Sequence, residues 1–510
     1  RGQLNADFEI ADRHSLDFIL GTEIREILAQ SEYNRVFGYD RVTQQYQRVD
    51  QNLLADGMVG VLSQFPVTYT APFYEQSESR DRFFSLYTTG QYSLDDKYNL
   101  SGSIRVDQSN LFGTDPKYQF RPMWSLGGNW FLSREDFFHV PWVDELRFRA
   151  SYGVNGNVDR TTSPYLIGHV GLSTMHNIQR WVGIVSPPNP LLRWERNAIT
   201  NLGVDFTLLG QRLHGSVDYY YKKGTDLLAQ KSLDPTIGFS IATFNNGSMT
   251  NRGIEVSLTP AWIRRQSINW SSTFNVAYNH NRVEKIEYEP SGASDLISSG
   301  YHVPDKPVRS MWSYRYAGLD ERGYPTVYDP DGNPAASYIN DPEIATYSGS
   351  LIPLVSGSVN NIIQYKGIEL SMLFIFHTGH KLRTDVPVLQ RWPGNNLKGF
   401  VNRWREPGDE AFTDVPRMGS LETVQQFWDK ADTHVQSASY IKLRNLILSY
   451  HLPDHLFPGA RNIRLRVQID NVWWYAVNDA GIDPEAYQAN AGVRNLQIPP
   501  TYSFGINVNL

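Results

Sequence analysis

Apolar and polar residues alternate with a period of two along most of this chain, in stretches of about ten residues whose connections are by turns very short and very long. No other feature narrows the possible folds as far. Thr200–Leu208 sets Leu202, Val204, Phe206 and Leu208 on one face and Asn201, Gly203, Asp205 and Thr207 on the other. Residues 213–222 start the pattern again a few positions later, and a long irregular stretch follows. In 462–470, Ile463, Leu465, Val467 and Ile469 oppose Arg464, Arg466, Gln468 and Asp470, so one face needs water and the other is wholly aliphatic. In 501–510, Tyr502, Phe504, Ile506, Val508 and Leu510 oppose Ser503, Gly505, Asn507 and Asn509. A strand with lipid on one side and a water-filled lumen on the other meets both demands. The pattern predicts an all-β fold, a transmembrane antiparallel β-barrel.

Strands are expected near 1–10, 15–24, 82–93, 98–108, 120–131, 145–154, 198–208, 212–223, 251–260, 267–281, 309–317, 324–328, 356–364, 368–377, 439–450, 462–470 and 501–510, about 17 in all. The short connections are 11–14, 94–97, 132–144, 209–211, 261–266, 318–323, 365–367 and 451–461. The long ones are 25–81, 109–119, 155–197, 224–250, 282–308, 329–355, 378–438 and 472–500, and the two classes alternate throughout. Outer-membrane barrels keep short turns in the periplasm and long loops outside the cell, which orients the chain. An odd number of strands ending at the periplasmic rim leaves the first strand without an upstream neighbour. Closing a barrel abolishes edges, so residues 1–510 are expected to be the C-terminal part of a larger barrel.

Composition agrees with this architecture. No run of 18 apolar residues occurs and mean hydropathy is −0.42, which excludes a helical membrane protein. Aromatic residues reach 13%, and barrels use them in girdles at the two membrane interfaces. A net charge of −6 with no basic run argues against a nucleic-acid partner. The absence of cysteine removes disulfides and thiolate metal sites. A soluble propeller would repeat a motif every 40–50 residues or so, and none recurs.

Several segments resemble one family, the SusC/RagA-type TonB-linked outer-membrane transporters of Bacteroidetes. Residues 196–206 (RNAITNLGVDF) are similar to its "T.NLG.DF" strand, and 216–228 (SVDYYYKKGTDLL) to its "D.Y…T.DLL" strand, with Gly238-Phe239 following as its "TGF" element. Residues 245–258 (NNGSMTNRGIEVSL) match its "N.G…N.G.E..L" pattern, and 275–283 (NVAYNHNRV) its "N.S.N.N.V" stretch. Near the end, 439–453 (SYIKLRNLILSYHLP) resembles "SYIRLRNLTLSYTLP", and 481–485 (GIDPE) resembles a "G.DPE" loop. The resemblance covers roughly 190–510 in the right order. It implies a barrel of about 22 strands, with a plug, a TonB-contacting segment and about five strands upstream of Arg1. It also implies a SusD-like surface lipoprotein as a lid, TonB as the energy source, and an oligosaccharide or oligopeptide as cargo. A passive porin and a surface-exposed structural or adhesive barrel are the alternatives.

Candidate chemistry is sparse. Asp329-Pro330-Asp331-Gly332-Asn333 looks like half of a calcium loop, but its twelfth position is Asn340, which cannot supply a bidentate carboxylate. A turn held by Asp and Gly is expected there. Residues 479–485 are acidic, and a structured loop end is expected. His377 and His380 are expected on opposite faces of a strand, and so not as paired metal ligands. Neither G-x-S-x-G nor H-E-x-x-H occurs, so no enzyme, metal or cofactor is expected. Trp473 and Trp474 are expected as interface anchors. Trp392, Trp404 and Trp428 sit in the long loop 378–438, where aromatic side chains must pack on something. A partner lid, the loop's own core or a flat ligand such as a sugar ring would serve, and these three are the candidate substrate or lid contacts.

Overall fold

The computed structural model describes the chain except residues 12, 51–52, 55–56, 60–65, 68–73, 112–114, 158–161, 174–178, 299–300, 338, 340, 388, 390–397, 420–421, 454–460 and 510. Among the described residues one antiparallel sheet has fifteen strands, in the order in which the chain makes them. They are β1 (Gly2–Ile10), β2 (His14–Asn34), β3 (Tyr74–Leu94), β4 (Tyr98–Ser109), β5 (Pro122–Phe131), β6 (Val143–Asn157), β7 (Glu195–Leu208) and β8 (Leu213–Ser232). They continue as β9 (Ile241–Arg264), β10 (Ile268–Lys285), β11 (Val355–Tyr365), β12 (Ile368–Thr378), β13 (Tyr440–His451), β14 (Arg461–Ala476) and β15 (Thr501–Asn509). Each inner strand pairs with its two sequence neighbours, while among the described residues β1 pairs only with β2 and β15 only with β14.

Register carries the period of two from strand to strand. Leu370, Leu448, Val467 and Phe504 lie side by side across β12–β15, and the last three are exposed. Val204 pairs with Val217, and Val217 with Val256. A soluble sheet would cover such a row, whereas lipid covers it here. Aromatic pairs punctuate the outer face, with Tyr98 and Trp130 stacked at 6.5 Å and Trp124 tilted on Tyr152 at 5.4 Å.

Two expected strands are not in this sheet. Ser310–Tyr314 pairs with Ala345–Ser350, and Pro325–Tyr328 pairs with Tyr316–Leu319 and Pro334–Ala335. All five residues of Ser310–Tyr314 are buried, so protein rather than lipid covers them. Alternation alone cannot distinguish a strand in a membrane from a short strand in a protein core. The expected turn 318–323 therefore belongs to one long connection, 286–354, and the expected long connection 224–250 shrinks to 233–240 because the strands beside it extend, so the alternation of lengths holds only in part.

Other strands outrun their expected ends. β8 has 20 residues and β9 has 24, whereas about 9–11 tilted residues span a bilayer. The surplus lies on the side of the long connections, where Gln230 pairs with Thr243 and Lys231 with Ala242. Both faces are wet there, so the ladder continues after the sequence alternation has stopped. Above the same rim, connections 286–354 and 379–439 share a core. Ala293, Leu296, Ile297, Trp312, Tyr314, Val327 and Ile344 of the first pack with Val424 and Phe427 of the second.

Candidate functional site

The inward face of the sheet is a polar wall built from the positions opposite the lipid rows. Asp205 accepts from Arg147 Nε at 2.7 Å and from Arg149 Nε at 2.7 Å, and Arg149 also reaches Asp218 at 2.9 Å. Farther round, Arg105 pairs with Asp107 at 2.8 Å and Arg464 with Glu369 at 2.5 Å. Gln468 and Asn445 both donate to Asp470, at 2.9 and 2.7 Å. Between these lies a concavity of about 470 Å³ whose polar lining includes Asp218, Glu255, Ser257, Asn275, Ser358 and His377. The charges are mostly paired side by side, which suits a hydrated path better than tight capture of one ion.

Two family-like motifs meet as a clasp at the outer end of β13. Tyr440, Lys442 and Arg444 reach the 481–485 loop. Lys442 Nζ lies 2.7 Å from Asp483 and 3.0 Å from Glu485, Arg444 lies 2.5 Å from Glu485, and the Tyr440 hydroxyl donates to Glu485 at 2.8 Å. Asp483 also caps the turn by accepting from the Glu485 amide at 3.1 Å. Burial would raise the Glu485 carboxyl, but hydrogen bonds from Arg444, Lys442 and Tyr440 outweigh it and hold the group at about 2. Ile482, fully buried, joins Leu382, Ala438 and Tyr487 in a small core beneath. The acidic segment is thus a structured loop end whose last carboxylates face cations of this chain.

A second knot lies at the motif 216–228. The ladder between β8 and β9 slips at Gly224/Leu227, and Asp226 there accepts from Arg193 at 2.7 Å and from Arg121 at 2.9 Å. Asn245, the first residue of the next motif, donates to the Arg193 and Asp226 carbonyl oxygens at 2.9 and 2.7 Å. The motif residues were legible in the sequence, but their partners Arg121 and Arg193 carried no signal.

Two of the three tryptophans of the long loop are described, and both are buried. Trp392 lies outside the described residues. Trp404 is buried, donates to Glu410 at 3.0 Å, and lies so close over Gly323 that a Cβ there would meet the indole at 2.4 Å. Trp428 is only 2% exposed and meets His434 edge-on at 5.1 Å. Neither indole presents an open face in this chain. Beside Trp428 lies Arg383, which sequence reasoning did not single out. It is 1% exposed and donates to the carbonyl oxygens of Trp312 at 2.7 Å and Ala431 at 3.0 Å, tying the two connections together. Burial pulls Arg383 down to about 10 and His434 to about 4, and pushes Asp429 up to about 6.

Three smaller expectations also meet their geometry here. His377 and His380 both face the Tyr440 ring, at 5.2 and 6.4 Å, because Gly379 takes a φ of +84° and breaks the strand alternation between them. The expectation of opposite faces was therefore wrong, although among the described residues no third metal-type ligand joins them. Burial lowers His380 to about 4. Residues 329–333 form a turn, with Asp329 Oδ1 accepting from the Asn333 amide at 2.7 Å, while Asn340 lies outside the described residues. Trp473 is exposed outward, but Trp474 pairs with Lys442 and turns inward, so only the first is placed as an interface anchor.

Residues 2–472 match the family model described as TonB dependent receptor-like, beta-barrel. TonB-dependent receptor P3 of Formosa agariphila is 28% identical over 437 residues, covering 80% of this chain and 42% of that protein. TonB-dependent receptor SusC of Bacteroides thetaiotaomicron is 26% identical over 287 residues, 52% of this chain and 27% of that protein. Among solved structures, the RagAB peptide importer in its closed-closed state superposes with a TM-score of 0.77 at 24% identity, over 99% of this chain and 55% of that one. The chain spans less than half the length of these curated relatives.

Proposed function

This chain belongs to the TonB dependent receptor-like β-barrel family, and from that membership we propose that it walls the path of an active nutrient importer. The family comprises transport proteins of the Gram-negative outer membrane, not enzymes. The observation that carries the reading is the pairing of a charge-balanced inner wall with long connections folded into a compact platform above the same rim. A passive pore needs only the wall, whereas the platform offers a firm seat for a lid.

In this reading residues 1–510 are the C-terminal part of a receptor whose plug, TonB-contacting segment and first strands lie upstream. A SusD-like lipoprotein seats on the platform, and TonB draws on the plug to release an oligosaccharide or oligopeptide into the lumen. Trp404 and Trp428 serve the lid from inside, by stiffening the surface it meets, and Trp392 lies on the same connection. The test is uptake of labelled oligosaccharide or oligopeptide mixtures by cells carrying the intact receptor, with and without TonB. Accumulation should vanish without TonB. Uptake that survives TonB loss would leave a passive porin as the better account.

A further inference from the structure

The lipid-facing wall is not evenly filled. Across β4–β7, Leu100, Gly128, Ala150 and Leu202 stand side by side in register. The two central positions project almost nothing. Around them stand Tyr92, Tyr98, Trp130, Phe148, Val217 and Tyr219, which enclose an apolar groove of about 820 Å³. Nothing within the fold requires the gap. Gly128 has an ordinary backbone conformation, and a Cβ there would touch only the Asn99 carbonyl oxygen, at 3.7 Å.

One end of the groove carries charge of both signs. Tyr98 and Trp130 lie next to the short connections 95–97 and 132–142, and both donate to Glu135, the indole at 2.9 Å. Lys97 sits 3.5 Å from Glu135 and from the fully exposed Asp136. Arg134 is turned away from the groove: it donates to the Asp96 carbonyl oxygen at 2.6 Å and covers the Phe131 ring, which Arg147 of the inward wall also covers. An aromatic pair at the interface, a partly exposed cation and an exposed carboxylate beyond it, and an unfilled apolar slot leading away match one molecule with a zwitterionic head and a long tail.

We propose that this groove holds an acyl chain of a phosphatidylethanolamine-type phospholipid. Its phosphate lies against Lys97 and its ammonium against Asp136. The short-turn rim faces the periplasm, so the source is the phospholipid leaflet. Hydrophobic transfer contributes little, because the alternative to the groove is other lipid tails. The gain is the dispersion contact that an unfilled wall lacks, together with charge-assisted bonds at the head.

The test uses the intact receptor purified from its own membrane, washed in detergent and then offered dioleoylphosphatidylethanolamine or dioleoylphosphatidylglycerol. Parent protein and Gly90→Leu, which adds the same bulk on the same face outside the groove, should retain the ethanolamine lipid. Gly128→Leu and Ala150→Leu, which fill the slot, should lose it. Equal retention by the filled variants, equal retention of the glycerol lipid, retention of lipid A instead, or no retained lipid in the parent would each overturn the proposal. If the filled variants fail to fold, an ethanolamine lipid with a photoreactive tail decides the matter on parent protein. Labelling of 122–131 and 143–157 supports the site, and labelling elsewhere overturns it. The outcome is independent of TonB, so it stands or falls apart from the transport reading.

Discussion

Lys442→Met is the sharpest test of the clasp between β13 and the 477–500 connection. Lys442 and Asp483 are 9% and 8% exposed and lie 2.7 Å apart, with Glu485 3.0 Å from the same ammonium. Methionine keeps the length of the side chain and removes its charge. Glu485 keeps Arg444 and Tyr440 as donors, and Asp483 keeps the Glu485 amide. Removing one partner of a buried pair costs about 3–5 kcal/mol, and the low end applies because that amide remains. A loss of about 3 kcal/mol raises the open population of the connection about 150-fold. The assay is the rate of protease cleavage within 477–500 in the intact, membrane-embedded protein, under conditions where reclosing outruns cutting and the rate follows the open population. Lys442→Met/Asp483→Asn should recover most of the protection, because no uncompensated charge is left behind. Parental cleavage rates in the single variant, or a double variant cut as fast as the single, would refute the clasp.

Two further outcomes follow from the same geometry. In the motif 245–258, a Cβ on Gly253 would lie 2.3 Å from the Tyr278 carbonyl oxygen and 2.4 Å from the Tyr220 hydroxyl. The β10 backbone cannot retreat without losing register, so Gly253→Ala should cost about 1–3 kcal/mol and lower the yield of heat-modifiable barrel. Gly128→Ala should not lower it, and equal losses would contradict the packing argument. In the platform, His434 and His380 are held near 4, below their ordinary 6.5. The stability they contribute is present above pH 6.5 and is lost as pH falls toward 4. Asp429, raised to about 6 from 3.8, acts in the opposite sense, contributing below pH 3.8 and losing that contribution as pH rises through 6. Asp429→Asn should therefore protect 379–439 from protease more at pH 7.5 than at pH 4.5, and a larger effect at pH 4.5 would show the sign to be wrong.

How far the sequence could be read depended on what surrounds each strand. In β7, β14 and β15, lipid lies on one side and water on the other, and Val204, Val467 and Phe504 with their polar neighbours announced the faces directly. In Ser310–Tyr314 both faces are covered by protein, and the same alternation was mistaken for a membrane strand. In the outer ends of β8 and β9 both faces are wet, and the alternation vanished although the hydrogen-bonded ladder did not. The motifs 439–453 and 481–485 were each visible, yet nothing in either said that Lys442 reaches Asp483. Arg383 had no local signal at all, because its partners are backbone carbonyl oxygens far along the chain.

By itself, then, the sequence determined the period, part of the alternation of turns and loops, and the family resemblance. Those follow from two solvents acting on one strand, a local rule that every second residue obeys. Tertiary structure alone decided that the long connections share a core, that Trp404 and Trp428 turn into it, and that the wall between Leu100 and Leu202 stays unfilled. Each of these depends on which distant side chains arrive at the same place, and that is set by packing and register rather than by neighbours in sequence.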